Sequence, residues 1–193
     1  MESRREILVN LGLDESIVFE NPSYDTAMVG YENGTNRIVY NFDAMVEDLM
    51  EQDNIDYEES VEFIEYNTLR ALPYMGYLAP IVMYPIEDMD YFFGMIEDGN
   101  DFIKYTPMLK VYDDAIVGYD ASTGGVIYDF ENMVSILMGK DNISYECAVE
   151  EIRNNSFGEN IIVEEGYDPI ILCSIEDYLD YADNDLEQRN KEA

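Results

Sequence analysis

Histidine and tryptophan are absent from this 193-residue chain, and cations are scarce: 10 Lys and Arg stand against 43 Asp and Glu, a formal net charge of −33 at pH 7. Without His, the Ser–His and Cys–His nucleophile systems are excluded, as are His-containing zinc sites. The only cysteines are Cys147 and Cys173, which form no CxxC pair; they read as reduced, buried thiols of a cytosolic protein. Long apolar runs are missing too. No stretch approaches the 18 apolar residues of a membrane span. The run Ile7-Leu8-Val9 after Arg4 and Arg5 is too short for a secretory signal core. The expectation is a cytoplasmic protein that engages no membrane. There is no P-loop and no GxGxxG, and the few cations are scattered, which argues against direct nucleic-acid binding.

What is present is material for a core. Hydrophobic residues make up 47% of the chain and aromatics 13%, with 17 Tyr, so this is not a disordered composition despite its charge. Most carboxylates have no cation in the chain to pair with. They face water, bind cations, or meet a basic partner, and their mutual repulsion costs stability. A halophilic surface and simple solubility are the plainer accounts of the same charge.

An internal repeat carries the most information. Tyr24-Asp25-Thr26-Ala27-Met28-Val29-Gly30-Tyr31 returns as Tyr112-Asp113-Asp114-Ala115-Ile116-Val117-Gly118-Tyr119. Without gaps, Tyr40, Phe42 and Met45 then match Tyr128, Phe130 and Met133, and Asp53-Asn54-Ile55 matches Asp141-Asn142-Ile143. After a small insertion, Pro80-Ile81-Val82 matches Pro169-Ile170-Ile171. The expected organisation is an N-terminal extension plus first repeat over 1–98, a linker over 99–106 and a second repeat over 107–193.

Each copy reads as a ββααβα module, giving an α+β protein of two tandem modules with small antiparallel or mixed sheets packed by helices. Ala27–Tyr31 and Arg37–Phe42 are strands joined through Asn33-Gly34, a hairpin signal; the second copy uses Gly124-Gly125. A helix starting near Asp43 turns Met45, Val46, Leu49 and Met50 inward and Glu47, Asp48 and Glu51 outward. A second helix follows Asp56 as N-cap, with Glu59 in capping-box position and Tyr57, Val61 and Ile64 as its apolar face; in copy two Ser144 takes the cap. Pro80–Tyr84 is a third strand. A last helix begins with Pro85 at its first position, or with Ser174 and Asp177 as caps in copy two. The expected core residues are Met45, Leu49, Val61, Ile64 and Val82, with Met133, Leu137, Val149, Ile152 and Ile171. The halves are expected to superpose by a pseudo-twofold or a translation.

Carboxylate pairs are too numerous here to single out a glycosidase-type acid/base pair. Asp180–Glu187 lacks the central Gly and terminal Glu of a calcium loop. No catalytic residue, cofactor or metal is therefore expected. Leu72-Pro73-Tyr74-Met75-Gly76 is a distinctive turn, either a loop end with Gly76 as C-cap or a contact made by Tyr74 and Met75.

Glu15–Glu20, Tyr24–Gly30, Glu62–Gly76 and Pro80–Tyr84 resemble short acidic proteins encoded by phages and mobile elements, most of unknown function. In size, charge and element type the two-unit chain is also similar to some type II anti-CRISPR proteins, inhibitors of Cas9. That resemblance implies a non-enzymatic inhibitor of a host nucleic-acid-targeting defence enzyme, whose partner is a basic nucleic-acid-binding protein such as Cas9 with guide RNA. The charge geometry fits such a role independently, because outward Glu47, Asp48, Glu51, Glu58, Glu59, Glu62 and Glu65 can present a charge density comparable to DNA phosphates. These seven residues, with Tyr74 and Met75, are the candidate partner-binding set. The alternative is a structural or adaptor protein, self-associating or not, that is acidic for solubility only.

Overall fold

The computed structural model describes residues 3–20, 22, 24–156 and 169–175. Its centre is a closed six-stranded barrel to which both repeats contribute equally. The strands are β1 (Met28–Glu32), β2 (Ile38–Asn41), β3 (Ile81–Pro85), β4 (Ile116–Asp120), β5 (Val126–Asp129) and β6 (Ile170–Ser174). Within a repeat the first two strands form an antiparallel hairpin and the second and third run parallel. A parallel pair needs a long crossover. The first repeat supplies one with α2 (Phe42–Asp53) and α3 (Tyr57–Phe63), the second with α5 (Phe130–Asp141) and α6 (Tyr145–Glu151).

Closure comes from two seams between repeats. β3 pairs antiparallel with β4, and β6 with β1. Tyr84 lies opposite Tyr119 in one seam, and their repeat equivalents Cys173 and Tyr31 lie opposite each other in the other. Pro85 faces Gly118 just as Ser174 faces Gly30. Each seam maps onto the other when the repeats exchange places, so the relation is a pseudo-twofold and not a translation.

Alternation along the strands sorts the core into three layers. Val39, Ile81, Met83, Ile127, Ile170 and Leu172 fill the barrel interior, joined by Val29 and Val117. Their strand neighbours Ile38, Tyr40 and Val82 point outward under the helices of repeat one, while Val126, Tyr128 and Ile171 do the same in repeat two. Strands covered on both faces carry continuous apolar runs, as Ile38-Val39-Tyr40 and Ile170-Ile171-Leu172 do. Met45, Leu49, Ile64, Met133, Leu137 and Ile152 are buried as expected, whereas Val61 and Val149 are only partly covered.

Local signals explain the repeated helix ends. Asn41 and Asp129 cap α2 and α5 by accepting from the backbone N–H of Ala44 and Asn132. Both helices stop where Asn54 and Asn142 adopt the left-handed conformation, with φ of 53° and 52°. The matching Asp-Asn-Ile runs are thus helix terminators. Asp56 caps α3 by accepting from the Glu59 N–H, as expected.

Three expectations change. Pro85 ends β3 and does not begin the following helix; α4 spans Met89–Glu97 with Asp88 as its cap. The physical reason is the seam, which holds Pro85 in an extended pairing. Secondly, Tyr57 is exposed, and Ser60 takes the buried position on α3 with its hydroxyl donating to the Asp56 carbonyl. Thirdly, α4 packs on the wrong repeat for a ββααβα unit. Phe92 is buried in the core of repeat two, its ring beside Tyr119, and Phe93 packs edge-on to Tyr105. Helix α1 (Arg4–Asn10) does the same for repeat one through Ile7 and Leu8. Among the described residues, a helix thus precedes the strands of each repeat and packs on their core. Ile103 and Thr106, in the segment between α4 and repeat two, are buried. Ser174 ends β6; Asp177 and the Asp180–Glu187 stretch lie outside the described residues.

Candidate functional site

The crossover helices of repeat one form the outer layer over their half of the barrel, and α2 packs against α3. On α2, Asp43, Glu47 and Glu51 follow one another at four-residue spacing and are exposed. Asp48, one step round, is half-buried and accepts from the Thr26 hydroxyl. On α3 and its continuation, Glu58, Glu59, Glu62 and Glu65 are all exposed. None of these outward glutamates takes part in a salt bridge among the described residues; the ion pairs there engage Arg5 with Glu20 and Asp25, and Arg37 with Glu32.

Helix α3 runs into a π-helical turn over Ile64–Thr68, then a 3-10 turn over Leu69–Tyr74. The π turn recurs at Ile152–Ser156, so it belongs to the scaffold. Thr68 is buried in that turn beside the Tyr24 hydroxyl at 3.2 Å. The chain leaves the 3-10 turn at Gly76, whose φ of 84° suits glycine. Of the two turn residues, Tyr74 stands in solvent at 91% exposure, but Met75 packs against the core of repeat one. The structure therefore leaves Tyr74 as an available contact and assigns Met75 to packing.

The candidate set is not one continuous patch of equals. Glu59 and Glu62 are drawn together in a shallow groove of about 360 Å³ with Ile55, Phe63, Tyr66 and Asn67. Tyr66 is 62% exposed, and the Arg70 guanidinium lies over its ring, 4.7 Å from the centroid. Sequence reasoning did not single out Tyr66 or Arg70. The signal was the four-residue spacing Glu62–Tyr66–Arg70, which the π turn keeps on the solvent side.

The second repeat supplies a comparison on the same backbone. Positions matching Glu47, Asp48 and Glu51 hold Ser135, Ile136 and Gly139. Those matching Glu58, Glu59, Glu62 and Glu65 hold Glu146, Cys147, Glu150 and Arg153. Only Glu146 and Glu150 remain acidic, although α5 and α6 reproduce α2 and α3 in length and capping. The denser acidic face is that of repeat one; repeat two keeps a sparser one, with Glu131 at the position of Asp43 and Glu151 added.

Crowded charge leaves marks elsewhere. Loss of water around Asp43, and then the nearby Glu87, raise the Asp43 carboxyl above the usual range. Burial is the leading cause of a similar rise at Asp129, the α5 cap. A carboxyl raised on folding makes the folded state bind more protons in the window between its unfolded and folded pKa. Its charge therefore weakens the fold above that window, and the penalty disappears as pH falls through it. Repeat one has Asn41 at the equivalent cap, so Asp129→Asn keeps the cap and removes the charge. This variant is expected to melt about 2 °C higher at pH 7. The gain should shrink as pH is lowered and Asp129 itself becomes neutral; a calorimetric series from pH 7 to pH 4 checks it.

Among the described residues, no group of His, Cys, Asp and Glu is set to hold a metal ion, and no helix is long and apolar enough to cross a membrane. Compared with known proteins, the chain matches no family model, no curated protein and no solved structure.

Proposed function

We propose that the protein is a non-enzymatic inhibitor that binds a basic nucleic-acid-handling protein of a host defence system, presenting the acidic face of repeat one where DNA phosphates would sit. Cas9 loaded with guide RNA is the first target to test, since its channel is positively charged along the heteroduplex and displaced strand. The observation that supports this reading is the asymmetry across the pseudo-twofold. One backbone scaffold occurs twice, yet the positions of Glu47, Asp48, Glu51, Glu58, Glu59, Glu62 and Glu65 are all acidic in repeat one, while of their counterparts only Glu146 and Glu150 are acidic in repeat two. Both repeats are strongly acidic; what differs is how much of that charge is set on the outward side of the crossover helices.

The chemistry is electrostatic competition. Glu47, Glu51, Glu58, Glu59, Glu62 and Glu65 are exposed, so they are available for long-range steering and contribute little to the fold. Such a surface raises the encounter rate with a basic groove. The triple reversal Glu58→Lys, Glu59→Lys, Glu62→Lys is expected to slow association with guide-loaded Cas9 about tenfold at low salt, mainly through the on-rate. Its thermal melting should stay close to that of the wild type. Inhibition of DNA binding by the wild type should also fall log-linearly as salt rises. Inhibition that is unchanged at high salt and unaffected by the triple reversal would remove phosphate mimicry by this face. Absence of any complex with the nuclease would remove the target.

A further inference from the structure

Within the acidic face, the groove beside Tyr66 has a chemistry more specific than charge. We infer that it receives an arginine side chain of the partner, with Tyr66 stacking on the guanidinium and Glu59 and Glu62 accepting its N–H groups; this deepens the reading above and rests on it. The groove combines an aromatic floor, from Phe63 and Tyr66, with two carboxylates. No Lys or Arg lines it. A planar guanidinium satisfies both features together, because it stacks on an aromatic face and pairs with carboxylates in the plane. A lysine ammonium satisfies only the charge, since it is compact and strongly hydrated.

Two observations support arginine. The protein's own Arg70 lies over the Tyr66 ring at 4.7 Å and does not line the groove, so the ring takes a guanidinium on one side while its groove side is left to the partner's arginine. The second repeat, moreover, dismantles the groove while keeping its backbone. Cys147, Glu151 and Asn154 stand where repeat one has Glu59, Phe63 and Tyr66. The buried side of the same segment is retained, with Ile152 matching Ile64 and both fully buried. The aromatic lining of the groove is thus dispensable for the α–π scaffold, whereas Glu150 keeps the Glu62 position; an exposed tyrosine on a helix is not a packing requirement.

The test uses the full chain and two probes of equal charge, hexa-arginine and hexa-lysine peptides, titrated at one fixed salt concentration. The arginine peptide is expected to bind about threefold tighter, the size of an exposed cation–π contact. It should also shift the amide resonances of Glu62 and Tyr66 more than the lysine peptide does. Tyr66→Asn, which copies the residue at position 154, should erase the preference and leave the charge-driven binding common to both peptides. Tyr66→Leu serves as a second variant in case the first melts early. Equal binding of the two peptides to the wild type, or a preference that survives loss of the ring, overturns the inference. The outcomes separate the two readings. An arginine preference at Tyr66 without inhibition of the nuclease leaves the groove standing and removes the target; inhibition without the preference removes the groove alone.

Discussion

Gly30→Ala is expected to lower stability by about 3 kcal/mol or more, at the upper end of what overpacking costs, seen as an early urea midpoint or outright failure to fold. Gly30 lies in the β1–β6 seam opposite Ser174. A Cβ there would sit 2.2 Å from the Cys173 carbonyl oxygen and 2.7 Å from the Leu172 side chain. The first obstacle is backbone, held by the β5–β6 and β1–β6 ladders, so it has nowhere to move. Gly118 is its equivalent in the other seam, where a Cβ would meet the Met83 side chain at 2.4 Å and the Tyr84 carbonyl oxygen at 2.6 Å. Gly118→Ala should cost less, because its backbone obstacle stands at 2.6 Å where that of Gly30 stands at 2.2 Å. Register slips next to both glycines, between Met28 and Gly30 and between Ile116 and Gly118, as a bulge does where a strand must bend to close a barrel. Gly94 in α4 is the control. Nothing lies within 4 Å of its added Cβ, and Gly94→Ala should stabilise by about 0.5 to 1 kcal/mol. Equal, small effects at Gly30 and Gly94 would mean that the seam is not closely packed.

These glycines show where sequence reasoning reaches and where it stops. Both were visible as members of the repeat, but a short strand does not encode its neighbour. Strands of four or five residues with apolar side chains on both faces fit several partners. That repeat one's third strand would join repeat two's first was therefore not legible, whereas the hairpins, being local, were. The helix ends were legible because Asn54 and Asn142 act through their own backbone conformation. The phase of the repeat was not. Phe92 and Phe93 lie between the two copies in sequence, and only packing assigns them to repeat two. In the site, the outward acids followed from helical period alone. The groove did not, because Tyr66 and Arg70 lie on a π-helical turn and the 3-10 turn after it, past the regular helix whose period was read.

Separating the repeats between β3 and α4 should yield no folded monomer. In a fragment of residues 1–87, both β1 and β3 would lose a neighbour, because each pairs with the other repeat. Its half of the barrel interior, Val39, Ile81 and Met83, would face water instead of Ile127, Ile170 and Leu172. Two open edges beside an exposed apolar surface invite pairing with another chain. The pseudo-twofold supplies the geometry: the β3 edge of one fragment can meet the β1 edge of a second copy with Tyr84 opposite Tyr31 and Pro85 opposite Gly30, the register that the intact chain uses at both seams. The isolated fragment is therefore expected to fold only as a twofold dimer, with a melting temperature that rises with concentration. Mixed with residues 88–193, which keep α4 with the core it completes, it should exchange into a one-to-one complex. Sedimentation and far-ultraviolet circular dichroism over a hundredfold range of concentration read both results. A fragment that stays monomeric and melts cooperatively at a fixed temperature would show that a repeat carries a complete core of its own, and that the closed barrel merely docks two finished halves.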